Sequence, residues 1–181
     1  YELYQLQYKL AVSPSDGKDA AEKYLSEHKD IYGALMALDL AAYEVGQKNF
    51  EQAASHALFA GEHGGELVAP AASLSLARIQ GQLKQYDDAV KTLDKISSEA
   101  YAAEKAEVKG DVLLQKGDKD GARAAYKQAM QLCVDKKVQI SPLLVMKLDD
   151  VAKEGDVPAY VTAREHNLSL NSLQGDSAEA K

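Results

Sequence analysis

The sequence predicts an all-α fold in which antiparallel helix pairs stack one on the next. The chain contains 29 alanines against 18 isoleucines, valines and threonines together. Alanine is the strongest helix former, whereas β-branched residues favour strands. No stretch alternates apolar and polar residues over more than about four positions, so no strand is indicated. With no tryptophan and only two phenylalanines, the core requires helix backbones that approach each other closely.

The composition excludes several classes of protein. The 181 residues are 27% charged and 46% hydrophobic, which is typical of a folded soluble chain. A formal net charge of -7 without a basic stripe argues against nucleic-acid binding. A single cysteine, Cys133, excludes an internal disulfide framework. The longest uncharged run, Leu67 to Ala77, is far shorter than the roughly 18 residues that a membrane span needs.

Capping residues and turns predict ten helices in order along the chain. Ser15 and Asp16 are predicted to cap the second helix, and Asp30 the third. Pro142 suits the first position of the ninth helix, with Ser141 as its cap. Residues 61–65 and 135–140 are predicted to interrupt the helices. The predicted helices span residues 4–12, 19–28, 32–44, 50–60, 68–83, 86–96, 100–116, 120–133, 142–153 and 159–170.

Small residues recur in a constant phase along this array. Ala53, Ala89 and Ala122, which are 36 and 33 residues apart, are each followed by core residues four and seven positions later. Twelve residues before each of them lies another small residue, on the preceding helix: Ala41, Ala77 and Gly110. Small residues on both helices of a pair let the two backbones cross closely. Two helices per unit and a period near 34 residues indicate a tetratricopeptide repeat (TPR) solenoid, with an irregular helical bundle as the alternative.

The repeat predicts one TPR-like domain over residues 1–173, built from about four to five units. The C-terminal residues 174–181 are predicted to form a loose tail. The predicted units lie near residues 1–29, 30–64, 66–97, 100–133 and 141–173.

Several segments resemble the YfgM family, the ancillary subunits of the bacterial SecYEG translocon. The resemblance runs in order from about Lys18 to Met130, nearly without gaps, and is weaker from Val134 to Lys181. The segments that carry it are Tyr32–Leu35, Leu76–Gln80, Leu83–Gln85, Ala89–Asp94 and Gly117–Arg123.

This resemblance implies a periplasmic TPR domain of a bacterial inner-membrane protein. The family is anchored by one N-terminal helix, which would lie before Tyr1. Its members are implied to bind the SecYEG translocon and periplasmic chaperones, notably of the PpiD type, and to lack enzymatic activity. A soluble TPR adaptor or regulator domain without a membrane anchor is the alternative.

Catalytic and metal sites are not predicted. No two of the four histidines stand three or four positions apart, so no helix presents a histidine pair to a metal. The Asp118-x-Asp120-Gly121 segment is similar to a calcium loop, but the frame places Lys116 and Lys127 at the first and last ligand positions. A turn between two helices explains this segment better. We therefore predict no catalytic residue, no cofactor and no metal.

Partner binding is expected on the first helices of successive units, which line the concave face of TPR solenoids. Arg78 and Glu107 lie on successive first helices, where they either pair with each other or contact a partner. Tyr43 belongs either to the core or to the surface. If this face does not bind, the segment Ser141 to Leu173 is the next candidate. The candidate residues are the polar ones predicted to face away from the second helix: Asp39, Tyr43, Arg78, Gln82, Glu107, Asp111 and Gln115.

Overall fold

The structure, a computed structural model, describes residues 1–179 and, in the last helix, the side chains up to residue 172. The described residues form ten α-helices and no strand, as predicted. A short 3-10 helix, Glu99–Tyr101, precedes the seventh. The helices are α1 Glu2–Val12, α2 Pro14–Glu27, α3 Ile31–Gly46, α4 Phe50–His63, α5 Gly65–Gln82, α6 Tyr86–Asp94, α7 Ala102–Lys116, α8 Lys119–Asp135, α9 Pro142–Asp150 and α10 Ala159–Glu179.

Side-chain caps begin three of these helices. The Asp30 carboxylate accepts hydrogen bonds from the Tyr32 and Gly33 amides and starts α3, as predicted. Ser141 caps α9 in the same way through the Leu144 amide, which confirms the predicted cap. The carboxylate of Asp118 accepts from Gly121 N at the start of α8. This cap supports the interpretation of the Asp118 segment as a turn between helices.

The start of α2 corrects the sequence prediction. The helix begins at Pro14, with Ser13 at the N-cap position, so Ser15 and Asp16 lie inside its first turn and do not cap it. Proline is well suited to the first helical position, because its missing amide hydrogen would have no partner there and its φ is already helical. Pro14 therefore sets the boundary ahead of the better side-chain caps that follow it.

Several other boundaries also differ from the predicted ones, among them the start of α5 at Gly65, three residues before its predicted start. Helix α4 continues to His63, and the chain breaks only at Gly64 and Gly65, where Gly65 has a φ of 60°. Helix α9 ends at Asp150, three residues before its predicted end. Helix α10 runs to Glu179 and thus includes residues 174–179 of the predicted tail, whereas residues 180 and 181 lie outside the described residues. Each residue added to an existing helix gains a backbone hydrogen bond, which favours such extensions.

The packing divides the chain into two compact units, Tyr1–Ile96 and Ser97–Lys181. In the first unit, consecutive helices pack along the series from α1 to α6, around one core cluster that includes Met36 and Leu40 and another that includes Ala53 and Ile79. In the second unit, α7, α8, α9 and α10 pack in order around Tyr126. The five predicted repeat units and their assignment to one domain stay predictions.

The turn inside each central helix pair repeats with the predicted period. Lys48, Lys84 and Gly117 all have a positive φ, of 61°, 60° and 93°. Each lies five residues before the alanine that marks its unit. In all three turns, the amide one residue later bonds to the carbonyl five residues before it, which is the hydrogen bond of a Schellman motif. The backbone therefore repeats with the same spacing as the small residues.

The predicted close approach of paired helices is present in the α7–α8 pair. Ala53, Ala89 and Ala122 are completely buried. A Cβ atom placed on Gly110 of α7 would lie 2.3 Å from the ring of Tyr126 on α8. Glycine at this position is therefore required by the space that the buried tyrosine ring occupies, as the repeat phase indicates.

Candidate functional site

Four side chains of the second unit form a connected group, the Lys147 cluster, which consists of Glu107, Asp111, Tyr126 and Lys147. The ammonium of Lys147 on α9 lies 2.6 Å from Glu107 Oε1 and 2.9 Å from Asp111 Oδ2. The Tyr126 hydroxyl donates a hydrogen bond of 2.7 Å to Asp111 Oδ1. Lys147 Nζ also lies 6.0 Å from the centre of the Tyr126 ring. The cluster therefore joins α7, α8 and α9.

The electrostatics of the Lys147 cluster leave it with one net negative charge near neutral pH. Burial, together with the Asp111 carboxylate, raises the pKa of Tyr126, so the phenol stays neutral. Burial alone would lower the pKa of Lys147, but hydrogen bonds to Glu107 and Asp111 outweigh it and raise that pKa. Two carboxylates thus face one ammonium ion.

This geometry corrects the predicted orientation of Asp111. The residue was expected to face away from the second helix of its unit, yet it accepts a hydrogen bond from Tyr126 on that helix. Glu107 bonds to Lys147 on the following helix, so it is also engaged within the chain. Both carboxylates are half-buried, with side-chain exposures of 19% for Glu107 and 26% for Asp111. The spacing of four residues on α7 did place them on one face, as predicted.

The other five predicted binding residues lie in different surroundings. Asp39 accepts a hydrogen bond of 2.7 Å from Gln7 Nε2, which ties α3 to α1. Tyr43 is partly buried against the core of the first unit. The remaining three are exposed: Arg78 and Gln82 on α5, and Gln115 on α7.

A second charged group, the Glu44 cluster, was missed by the sequence analysis. It consists of Lys18, Glu22, Glu44, Asn49 and His56. The Glu44 side chain is completely buried, with its Oε1 2.7 Å from Lys18 Nζ and its Oε2 accepting a 2.7 Å hydrogen bond from Asn49. Glu22, Glu44 and His56 each have one potential metal-ligating atom, and these three atoms lie within 4.8 Å of one another. The group links α2, α3 and α4.

The positive charge in the Glu44 cluster is supplied by Lys18. Burial would raise the pKa of Glu44, but the Lys18 ammonium and the Asn49 amide outweigh it and hold that pKa below its usual range. Burial lowers the pKa of His56, so its imidazole is neutral near pH 7. Carboxylate and imidazole ligands suit zinc. The Lys18 ammonium already faces Glu44 where a metal cation would have to lie, which disfavours a metal here. The absence of a bound metal stays a prediction.

One sequence signal could have revealed Glu44. It continues the inward spacing of Ala37, Leu40 and Ala41 on α3, all of which are buried. A carboxylate on the core-facing side of a helix requires a buried partner. Lys18 could not be identified as that partner from spacing, because it lies 26 positions earlier on another helix.

Each unit has a cavity at its surface. In the second unit, a cavity of about 410 Å³ is lined by Met130, Val134, Leu148 and Val157, with a Lys127–Asp156 ion pair at 3.0 Å among its lining residues. In the first unit, a cavity of about 370 Å³ has mainly aromatic walls, formed by Tyr1, Tyr4, Tyr24 and Tyr32.

Comparison with known proteins identifies the family. Residues 2–153 match the family model of a tetratricopeptide repeat-like domain. A relative from Escherichia coli strain K12, named "Ancillary SecYEG translocon subunit", is 40% identical over 154 residues, which are 81% of this chain and 73% of the relative. The chain belongs to the YfgM family. A relative of the same name from Aggregatibacter actinomycetemcomitans is 32% identical over 123 residues, 64% of this chain and 59% of the relative.

Membership in the YfgM family confirms the resemblance and supports a non-catalytic role in protein–protein interaction. The family model spans α1 to α9, so it extends beyond the Lys18–Met130 segment in both directions, while α10 lies outside it. Within the described residues, no helix has the length and apolar character needed to cross a bilayer.

Proposed function

We propose that this chain is a non-catalytic interaction domain that binds the SecYEG translocon and connects it to PpiD-type and other chaperones in the periplasm. The 40% identity with the E. coli ancillary translocon subunit carries the proposal. The fold supports it, because within the first unit the first helices α1, α3 and α5 lie side by side and can present one surface to a partner. The soluble adaptor or regulator domain is the competing function.

Purification of the full-length protein from bacterial membranes tests this function. We expect the SecYEG subunits to copurify with it, together with a PpiD-type chaperone. Recovery of the protein in the soluble fraction, with no translocon subunit bound, would favour the adaptor. Recovery of the translocon without any chaperone would retain the ancillary role and reject the connection to chaperones.

We propose further that partners bind the polar surfaces of the first helices: Asp39, Tyr43, Arg78, Gln82, Glu107, Asp111 and Gln115. In the second unit this surface contains the Lys147 cluster, where two half-buried carboxylates share one ammonium ion. A basic side chain of a partner would neutralise the remaining negative charge. Such an attraction acts over about 10 Å at 0.1 M salt, so binding should weaken as salt is added.

Substitution by amides tests this surface without reversing its charge. Lysine substitutions at positions 107 and 111 would add positive charges that repel Lys147. The double variant Glu107→Gln/Asp111→Asn instead removes both carboxylate charges. We expect it to weaken capture of the partner by roughly threefold or more at low salt, with a smaller loss at high salt. The matched control, Glu154→Gln/Glu165→Gln, changes the net charge equally at exposed positions of the same unit. Equal capture by both double variants would exclude the cluster as a contact site.

A further inference from the structure

Helix α1 is apolar on two opposite faces. Its inward face, with Leu3, Leu6 and Leu10, packs against the core of the first unit. A helix that packs on the core with one face usually turns a polar face to water. The outward face of α1 is instead a continuous apolar stripe at helical spacings of three and four, with Tyr4 71% and Tyr8 62% exposed. The members of this stripe, the α1 stripe, are Tyr1, Tyr4, Tyr8 and Val12.

The charges beside the α1 stripe are arranged asymmetrically along the helix. Glu2 and Lys9 are exposed and lie seven positions apart, so they share one flank of the stripe. The negative charge is at the N-terminal end of this flank, and the positive charge is toward the C-terminal end. Two copies of the helix therefore attract each other when antiparallel, because each Glu2 then faces the partner's Lys9. Parallel copies would place the two flanks on opposite sides of the contact, so neither ion pair would form.

We infer that the α1 stripe is a self-association surface, covered by the α1 helix of a second copy of this chain in the antiparallel direction. Around the centre of the stripe, Tyr4 packs against Tyr8 of the second copy, and Tyr8 packs against Tyr4 of the second copy. Tyr1 then lies opposite the partner's Val12. The tyrosine-lined cavity of about 370 Å³ lies at this end of the stripe and accommodates an aliphatic side chain. The contact of one short helix predicts a weak dimer, with a Kd of roughly 10 μM to 1 mM.

Charge reversal tests the partner and its direction together, with sedimentation velocity as the measurement. Glu2→Lys and Lys9→Glu should each weaken self-association by roughly two- to fivefold, because both place like charges across the interface. An equimolar mixture of the two variants should form a heterodimer at least as strong as the parent dimer, since both ion pairs return. Attraction between the net charges of the two variants cannot explain that result. The parent net charge is -7 and each reversal changes it by only two, so both variants stay negative and repel each other.

Removal of the apolar surface tests the stripe itself. The double variant Tyr4→Ser/Tyr8→Ser should weaken the dimer by roughly tenfold or more. Its melting temperature should stay that of the parent, because both side chains are exposed. The control Leu143→Ser, at an exposed apolar residue of α9, should dimerise like the parent.

Thiol crosslinking resolves the geometry, because the only native cysteine, Cys133, is buried and can be replaced by alanine. In that background, Gln5→Cys lies near the centre of the stripe, so a short reagent should crosslink it to the same position of the second copy. Val12→Cys lies at one end of the stripe and should not crosslink in this way. Equal self-crosslinking of both variants would establish parallel pairing and overturn the proposed direction. A monomer at concentrations up to about 1 mM would reject self-association. Tyrosine-dependent binding to phosphatidylethanolamine–phosphatidylglycerol vesicles by such a monomer would assign the stripe to a lipid surface instead.

Discussion

The two charged clusters of this protein differ in how far water reaches their ion pairs. In the Glu44 cluster the carboxylate is completely buried, while the Lys18 side chain keeps 25% of its surface exposed. In the Lys147 cluster, both carboxylates and the ammonium keep between 19% and 26% of their surfaces exposed. A buried charge that loses its partner cannot regain water without local unfolding, whereas a half-buried one can.

This difference separates a structural cluster from one that can exchange partners. Glu44 connects α2, α3 and the turn before α4, and any competing ligand would have to displace Lys18 from a closed site. Glu107 and Asp111 contact water as well as Lys147, so a basic group of a partner can approach them without unfolding the pair. Only the Lys147 cluster therefore suits the proposed binding surface. The following changes test the contrast, from the largest expected effect to the smallest.

Lys18→Met should have the largest effect, because it leaves the Glu44 carboxylate buried without its counter-charge. We expect a loss of about 3–5 kcal/mol in the free energy of unfolding, measured by urea denaturation. Glu44→Gln should cost less, since the exposed end of Lys18 can turn toward water. The control Lys23→Met removes an exposed lysine from the same helix and should change stability by less than about 0.5 kcal/mol. Equal losses for Lys18→Met and Lys23→Met would contradict the structural role of the cluster.

Gly110→Leu tests the apolar support of the Lys147 cluster. The new side chain meets the Tyr126 ring, whose hydroxyl holds Asp111, so the pair must separate. We expect a loss of about 1–3 kcal/mol, observed as a lower urea midpoint. Gly46→Ala is the control, because a Cβ there meets no atom within 4 Å. Parent-like stability of Gly110→Leu would show that the α7–α8 pair can repack.

Lys147→Met should cost only about 1–2 kcal/mol, since the two carboxylates that remain are partly hydrated. Thermal unfolding of this variant beside Lys18→Met compares the two clusters directly. If the Lys147 variant is destabilised as strongly as the Lys18 variant, the distinction between a closed and an open cluster is wrong.

Acid should weaken the Glu44 cluster through protonation of the carboxylate. The pKa of Glu44 is lowered in the folded chain, so its contribution is complete above the unfolded value of about 4.3 and is lost as pH falls through the folded value. The melting temperature of the parent should therefore fall more steeply below about pH 4.3 than that of Glu44→Gln. Asp120→Asn is a useful comparison, because Arg123 and Lys153 lower the pKa of this exposed carboxylate in the second unit. Identical slopes for the parent and Glu44→Gln would contradict a lowered pKa for Glu44.

Local sequence signals predicted most of the helix framework. Asp30 and Ser141 could be recognised as caps because each bonds to an amide two or three residues away. The sequence was misleading at Ser15 and Asp16, where Pro14 had already started the helix. It also placed Asp111 on the correct helix, while the hydrogen bond to Tyr126 depends on how α7 and α8 cross.

By itself the sequence determined the helical class, the period near 34 residues and the family, because helix propensity, capping and repeat spacing depend on residues close together in the chain. Tertiary structure alone decided the ionic partners. Lys18 meets Glu44 across 26 positions, and Lys147 meets Glu107 across 40. Such contacts depend on the relative placement of separate helices, which the packing of buried side chains sets and local spacing does not encode.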